Sequence, residues 1–179
     1  MKLRLVHRAA RAAATVIALP PSSEDTRWAL GGLSQPEAQL FAAMNAADRR
    51  HAISVARRVQ TILDRDLPSL DAHERELVLR CALLHDVGKT IAGLGVWGRT
   101  VATLTGWIAG QDFGEVYQQQ SGFTRRVGLY LRYGELGAEQ LELAGSPTWV
   151  VAWSREHHLD SSEWSLPIQV GKALAAADG

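Results

Sequence analysis

Apolar residues along the chain recur at spacings of three and four, and no stretch of useful length alternates apolar with polar positions, so the pattern predicts helices throughout. The longest runs over Ala47 to Asp66, with Asn45 as its N-cap and Asp48 in its first turn. Ile53, Val55, Val59, Ile62 and Leu63 form its apolar face, while Arg49, Arg50, Arg57 and Arg58 cover much of the other surface. A short helix over Pro36 to Met44 precedes it, and Leu67-Pro68 ends it. Asp71 and Glu74 then supply a capping box for a helix in which Leu77, Val78, Cys81, Leu84 and His85 share one face. Gly88 is read as the residue that lets the chain leave this helix.

Further helices are expected over Thr100 to Ala109, Phe123 to Tyr133 and Glu135 to Leu143, the last terminated by Gly145. The polar stretch through Gln118, Gln119 and Gln120 reads as loop or irregular helix. Ser146-Pro147 restarts the chain as a capping serine followed by a proline at the first helical position. Trp149, Trp153 and His157 follow at spacings of four, as a stripe aimed at the core. A final helix begins at Pro167 and carries Ile168, Val170, Leu174 and Ala177 up to Asp178. The expected architecture is all-α, a compact bundle of about seven or more helices.

The first 34 residues read differently. Lys2, Arg4, Arg8 and Arg11 precede an Ala-rich apolar run ending at Pro20-Pro21, a pattern that imitates a signal peptide. The preferred reading is an amphipathic helix that docks on the domain or on a partner, followed by a linker over Pro20 to Ser34. Residues 1–34 are thus an N-terminal helix and linker, and residues 35–179 one domain.

Composition narrows the class of function. Lys plus Arg and Asp plus Glu balance at 19 each, so no overall field favours nucleic acid or an anionic membrane, and a small substrate is expected. No apolar run approaches the ~20 residues that span a bilayer. The single cysteine, Cys81, lies in the apolar run before His85 and reads as a small core residue, in keeping with a cytoplasmic protein. Gly93-Leu94-Gly95-Val96-Trp97-Gly98 matches GxGxxG, but it follows a helix where a dinucleotide site requires a strand. It is better read as a Gly-rich lid with Arg99 near its end.

The candidate chemistry centres on His85-Asp86, an imidazole and a carboxylate at the end of a core helix, followed by Gly88 and Lys89. These ligand types together suit a divalent cation such as manganese, iron, magnesium or zinc. Taken alone, His51 reads first as a partly buried histidine bonded to a backbone carbonyl, and Asp178 as an exposed residue at a frayed terminus. His73, in an exposed first turn, is given no role.

The order His51, His85-Asp86, Asp178, with the flanks Arg50-His51-Ala52-Ile53-Ser54-Val55-Ala56, Leu84-His85-Asp86-Val87-Gly88-Lys89 and Ala175-Ala176-Ala177-Asp178, resembles the HD superfamily of metal-dependent phosphohydrolases over roughly Asn45 to the C-terminus. The resemblance implies an HD-type helical bundle in which His51, His85, Asp86 and Asp178 hold one tightly bound divalent cation. Asp86 would also orient or deprotonate the attacking water, and Lys89 would offset phosphate charge. The implied substrate is a nucleotide or other small phosphorylated compound, cleaved at a phosphomonoester or phosphodiester bond. Many relatives hold a second metal with two further histidines. Here Glu156-His157-His158 resembles the later one and Tyr133 replaces the earlier, which leaves His157 or His158 to a weak second ion or to the substrate phosphate. The continuation Leu159-Asp160-Ser161-Ser162-Glu163-Trp164 departs from the HD-GYP pattern, and Val87-Gly88-Lys89 from that of alarmone hydrolases. The rival reading is a metal- and nucleotide-binding sensor with the same fold and no catalysis; a third is a structural domain with packed histidines.

Overall fold

A computed structural model describes residues 20–94 and 113–179 of the chain. Among these residues every regular element is a helix and no strand occurs. The elements are α1 (Ser23–Gly31), α2 (Gln35–Ala43), α3 (Ala46–Asp66), α4 (Ala72–Leu84), a short α5 (Lys89–Ala92), α6 (Phe113–Gln118), α7 (Gly122–Leu131), α8 (Tyr133–Leu143), α9 (Thr148–Glu156) and α10 (Ile168–Asp178), with a 3₁₀ turn at Ser161–Glu163. The all-α, compact bundle expected from the pattern is the architecture observed. The helix expected over residues 100–109, most of the Gly-rich stretch with Arg99, and the N-terminal helix within residues 1–19 lie outside the described residues.

Local capping explains where the long helices begin. The Asn45 side chain accepts from the Asp48 amide at 2.9 Å and starts α3. Asp71 accepts from the Glu74 amide at 2.8 Å while the Glu74 carboxylate accepts from the Asp71 amide at 3.0 Å, closing a capping box on α4. At the other end of α8, Gly145 adopts φ +70° and the Ser146 amide donates to the Leu141 carbonyl, which turns the chain sharply towards α9.

Helix α4 is the hub. It packs on α3 on one side and on α9 on the other, and α10 lies against both α3 and α4. The main core between them includes Val55, Val59 and Leu63 from α3, Val78, Cys81 and Leu84 from α4, Val150 and Trp153 from α9, and Val170 and Leu174 from α10. Burial pushes the Cys81 thiol up, so it remains a neutral core residue, as its sequence context suggested. A smaller apolar cluster of Ala92, Leu94, Val127 and Leu129 joins α5 to α7. Trp153 and Trp164 meet edge to face with centroids 5.4 Å apart, which assigns Trp153 to the core.

Three expectations are corrected. The segment read as a linker carries α1, whose N-cap Ser22 accepts from the Asp25 amide at 3.0 Å and whose Ala29 is fully buried in the main core. Ser146 does not cap α9: Pro147 stands at the cap position, and the Ser146 hydroxyl donates instead to Glu37 Oε1 at 2.8 Å. Gly88 has φ −63° and ψ −18°, an ordinary right-handed conformation, so the chain does not need a glycine there for its dihedrals. It needs the missing side chain. A Cβ on Gly88 would overlap the Tyr133 carbonyl oxygen and lie 2.7 Å from the Gly137 nitrogen. Gly137 is also close-packed, a Cβ there lying 2.8 Å from Ser154 Oγ and 3.0 Å from the Gly88 nitrogen. This backbone-to-backbone contact seats the start of α8 directly on the turn that follows His85 and Asp86.

Candidate metal centre

Three helix ends far apart in sequence deliver the candidate ligands. His51 stands one turn inside α3, His85 closes α4, and Asp178 is the last residue of α10. One donor atom from each of His51, His85 and Asp178 lies within 4.8 Å of the others. His51 Nε2 is 2.8 Å and His85 Nε2 3.8 Å from Asp178 Oδ1. The two imidazole rings meet edge on, with centroids 5.6 Å apart. His85 is 3% exposed, whereas the side chains of His51 and Asp178 are 28% and 34% exposed. The group is therefore walled by the core on the His85 side and open to solvent on the other.

Backbone contacts set the orientation of the ligands. His85 Nδ1–H donates to the Ala82 carbonyl at 2.9 Å, which fixes the tautomer and leaves the Nε2 lone pair facing the cluster. Asp178 is held by a contact the sequence did not signal. Arg58, expected on the outer surface of α3, reaches across to donate from Nε to the Ala177 carbonyl at 2.6 Å, and from Nη1 to Ser54 Oγ at 2.7 Å. It ties the C-terminus of α10 to α3, 119 residues away in sequence, so no local pattern could have revealed it. Burial opposes ionisation of Asp178, but the His51 hydrogen bond and the positive character of His85 and His51 outweigh it and hold the carboxyl well below the usual range.

Asp86 lies beside this group, 1% exposed, with Oδ2 3.5 Å from His85 Nε2. Lys89 Nζ donates to the same Oδ2 at 2.5 Å. Lys89 is thus placed on Asp86, with its ammonium also 4.9 Å from the centre of the Tyr133 ring. Burial would raise the Asp86 carboxyl, yet Lys89 and then His85, His157 and His51 hold it well below the usual carboxylate range. Its second oxygen, Oδ1, is buried with no hydrogen-bond partner. A buried carboxylate oxygen without a donor is costly, and a cation beside His85 would satisfy it. Two imidazole nitrogens and one carboxylate, with the Asp86 carboxylate beside them, are donors that fit a divalent first-row metal.

His157 and His158 stand at the end of α9, on the far side of His85; the His85 and His157 centroids are 5.2 Å apart. Both Nε2 atoms bond the Tyr133 hydroxyl, at 3.1 Å in the case of His157. The Tyr133 position singled out in the sequence is therefore at the site, not remote from it. Glu156, buried in the same turn, accepts from the Ser165 amide and hydroxyl, both at 2.6 Å, and so fixes the loop that leads into α10. His73 is exposed in the first turn of α4, where the capping pattern placed it.

The chain matches no protein-family model, no curated protein and no solved structure. The fold and the site themselves define an all-α protein in which His51, His85 and Asp178 form a group that could hold a metal ion. Among the described residues no helix is long and apolar enough to cross a membrane.

Proposed function

We propose that this protein is a metal-dependent phosphohydrolase of the HD type, acting on a nucleotide or other small phosphorylated compound. The observation that carries the reading is the convergence of His51, His85 and Asp178 from three helices, with the partnerless Asp86 oxygen buried beside them. A buried carboxylate oxygen with no donor, next to two imidazoles, calls for a partner, and a cation would supply one.

His51, His85 and Asp178 would hold a divalent cation, which when bound would supply Lewis acidity towards water and the phosphoryl oxygens. The chain's own residues do the rest. His85, locked by the Ala82 carbonyl, and Asp178, locked through Arg58, present their donor atoms with little freedom to reorient. Asp86, ionised and anchored by Lys89, would orient the attacking water. Lys89 offsets negative charge that accumulates on the phosphoryl group, and the half-exposed His51–Asp178 side is the mouth through which a small phosphoester enters. The products are a phosphomonoester or inorganic phosphate and the corresponding alcohol.

The test is phosphate release from a panel of nucleotides and phosphodiesters by manganese-loaded protein, with and without chelator. Chelator-sensitive release is expected for at least one class. Binding of metal and nucleotide without release would replace this reading by a non-catalytic sensor.

A further inference from the structure

Three polar side chains outside the His51–His85–Asp178 group meet at one point. His157 Nδ1–H is committed to the carbonyls of Trp153 at 3.1 Å and Ser154 at 3.0 Å, so its Nε2 carries the lone pair. The His157 and His158 rings lie 3.9 Å apart between centroids, and both Nε2 atoms point to the same place. The Tyr133 hydroxyl occupies that place. A neutral hydroxyl donates once and accepts as well. Here it has three polar neighbours to serve, His157 Nε2, His158 Nε2 and the Asp86 carboxylate.

Two convergent imidazole nitrogens form the core of a site for a divalent first-row cation, whereas a phenol hydroxyl is a poor ligand for one. The pair also lies next to Asp86, whose Oδ1 has no partner. We propose that the Tyr133 hydroxyl is a plug: it fills the point on which His157 and His158 converge, so that the protein holds one divalent cation and removal of the hydroxyl opens a second site. The count of one rests on the proposed metal centre at His51, His85 and Asp178; the plug itself does not. Tyr133 is then a residue that sets metal number, and it keeps His157 and His158 engaged as hydrogen-bonding partners.

Stoichiometry decides this. Isothermal titration with manganese, and with cobalt(II) followed by its visible absorption, is performed on wild type, Tyr133→Phe, and Tyr133→Phe combined with His157→Ala. The expected counts are one, two and one. Should Tyr133→Phe lose its helical circular dichroism, Tyr133→His, which puts a third imidazole in place of the phenol, is expected to bind two. A wild type that binds two, or a Tyr133→Phe protein that stays at one, overturns the plug and leaves the phosphohydrolase reading standing. A wild type that binds none, with Tyr133→Phe gaining one that His157→Ala removes, keeps the plug and overturns the metal centre. No binding by any variant overturns both.

Discussion

Replacing Gly88 by alanine isolates the contact that builds the site. Helix propensity alone favours alanine over glycine by up to about 1 kcal/mol in a helix interior, and less at the cap position that Gly88 holds. Its φ of −63° imposes no strain on a side chain, so dihedral terms add nothing against the substitution. What opposes it is space. The new Cβ would overlap the Tyr133 carbonyl and stand 2.7 Å and 2.9 Å from the nitrogen and Cα of Gly137. All three atoms are backbone, so no rotamer change relieves the clash, and α8 must move off the turn that carries Asp86. Overpacking of this kind costs typically 1–3 kcal/mol and sometimes more. With the backbone as the obstacle the cost lies near the upper end, about 3 kcal/mol, and the net loss after the propensity gain is about 2 kcal/mol. In urea this is a fall in midpoint of about 1 M at a slope near 2 kcal/mol/M. Gly31, around which a Cβ meets nothing within 4 Å, is the control, and Gly31→Ala should stay within about 0.5 kcal/mol of wild type. A Gly88→Ala protein as stable as wild type, or stabilised by the propensity gain, would refute the close packing of α8 on the His85-Asp86 turn.

Other perturbations reach the same elements by different routes. Glu37, fully buried, accepts two hydrogen bonds from Arg80 and one each from Ser146 and the Ser34 amide. Glu37→Ala leaves the Arg80 guanidinium, 13% exposed, with only the Glu76 carboxylate at 3.9 Å, and should cost roughly 3 kcal/mol in chemical denaturation. Burial opposes ionisation of Glu37, but its partners prevail and lower its pKa below the ordinary 4.5, so its stabilisation is present above that value and is lost as pH falls through the depressed one. The stability gap between wild type and Glu37→Ala should accordingly narrow on acidification below pH 4.5; a constant gap would contradict the ion pair. Arg58→Ala frees the C-terminus of α10 and should weaken manganese affinity by about 10- to 100-fold, the range for residues that orient a ligand, with circular dichroism unchanged. Unchanged affinity would mean that Asp178 is positioned without Arg58.

Much of the fold was legible because it is written locally. Asn45 with Asp48, and Asp71 with Glu74, start α3 and α4 where the capping pattern says they should. Helix α1 was missed although Ser22 and Asp25 carried a usable capping signal, because Pro20-Pro21 and Gly31-Gly32 on either side of a nine-residue helix read as loop. Ser146 was misassigned for the opposite reason: its local capping chemistry is real, but Glu37, 109 residues away, takes the hydroxyl. In the candidate site, His51, His85 and Asp178 were named from the sequence and lie together. The contacts that orient them, from Arg58 and from the Gly88–Gly137 approach, span distant segments and leave no periodic trace.

The most direct test of the central claim compares wild type with Asp178→Asn, measuring bound manganese and chelator-sensitive phosphate release on the same samples. Asparagine keeps the shape of Asp178 and removes the charge that His51 and His85 face at 2.8 and 3.8 Å. Wild type should hold one manganese and release phosphate, while Asp178→Asn, still helical, should lose the metal and at least about a hundredfold in rate, more than loss of an outer-shell contact would cost. Equal metal content and equal phosphate release in the two proteins would contradict the claim that His51, His85 and Asp178 form the catalytic metal centre.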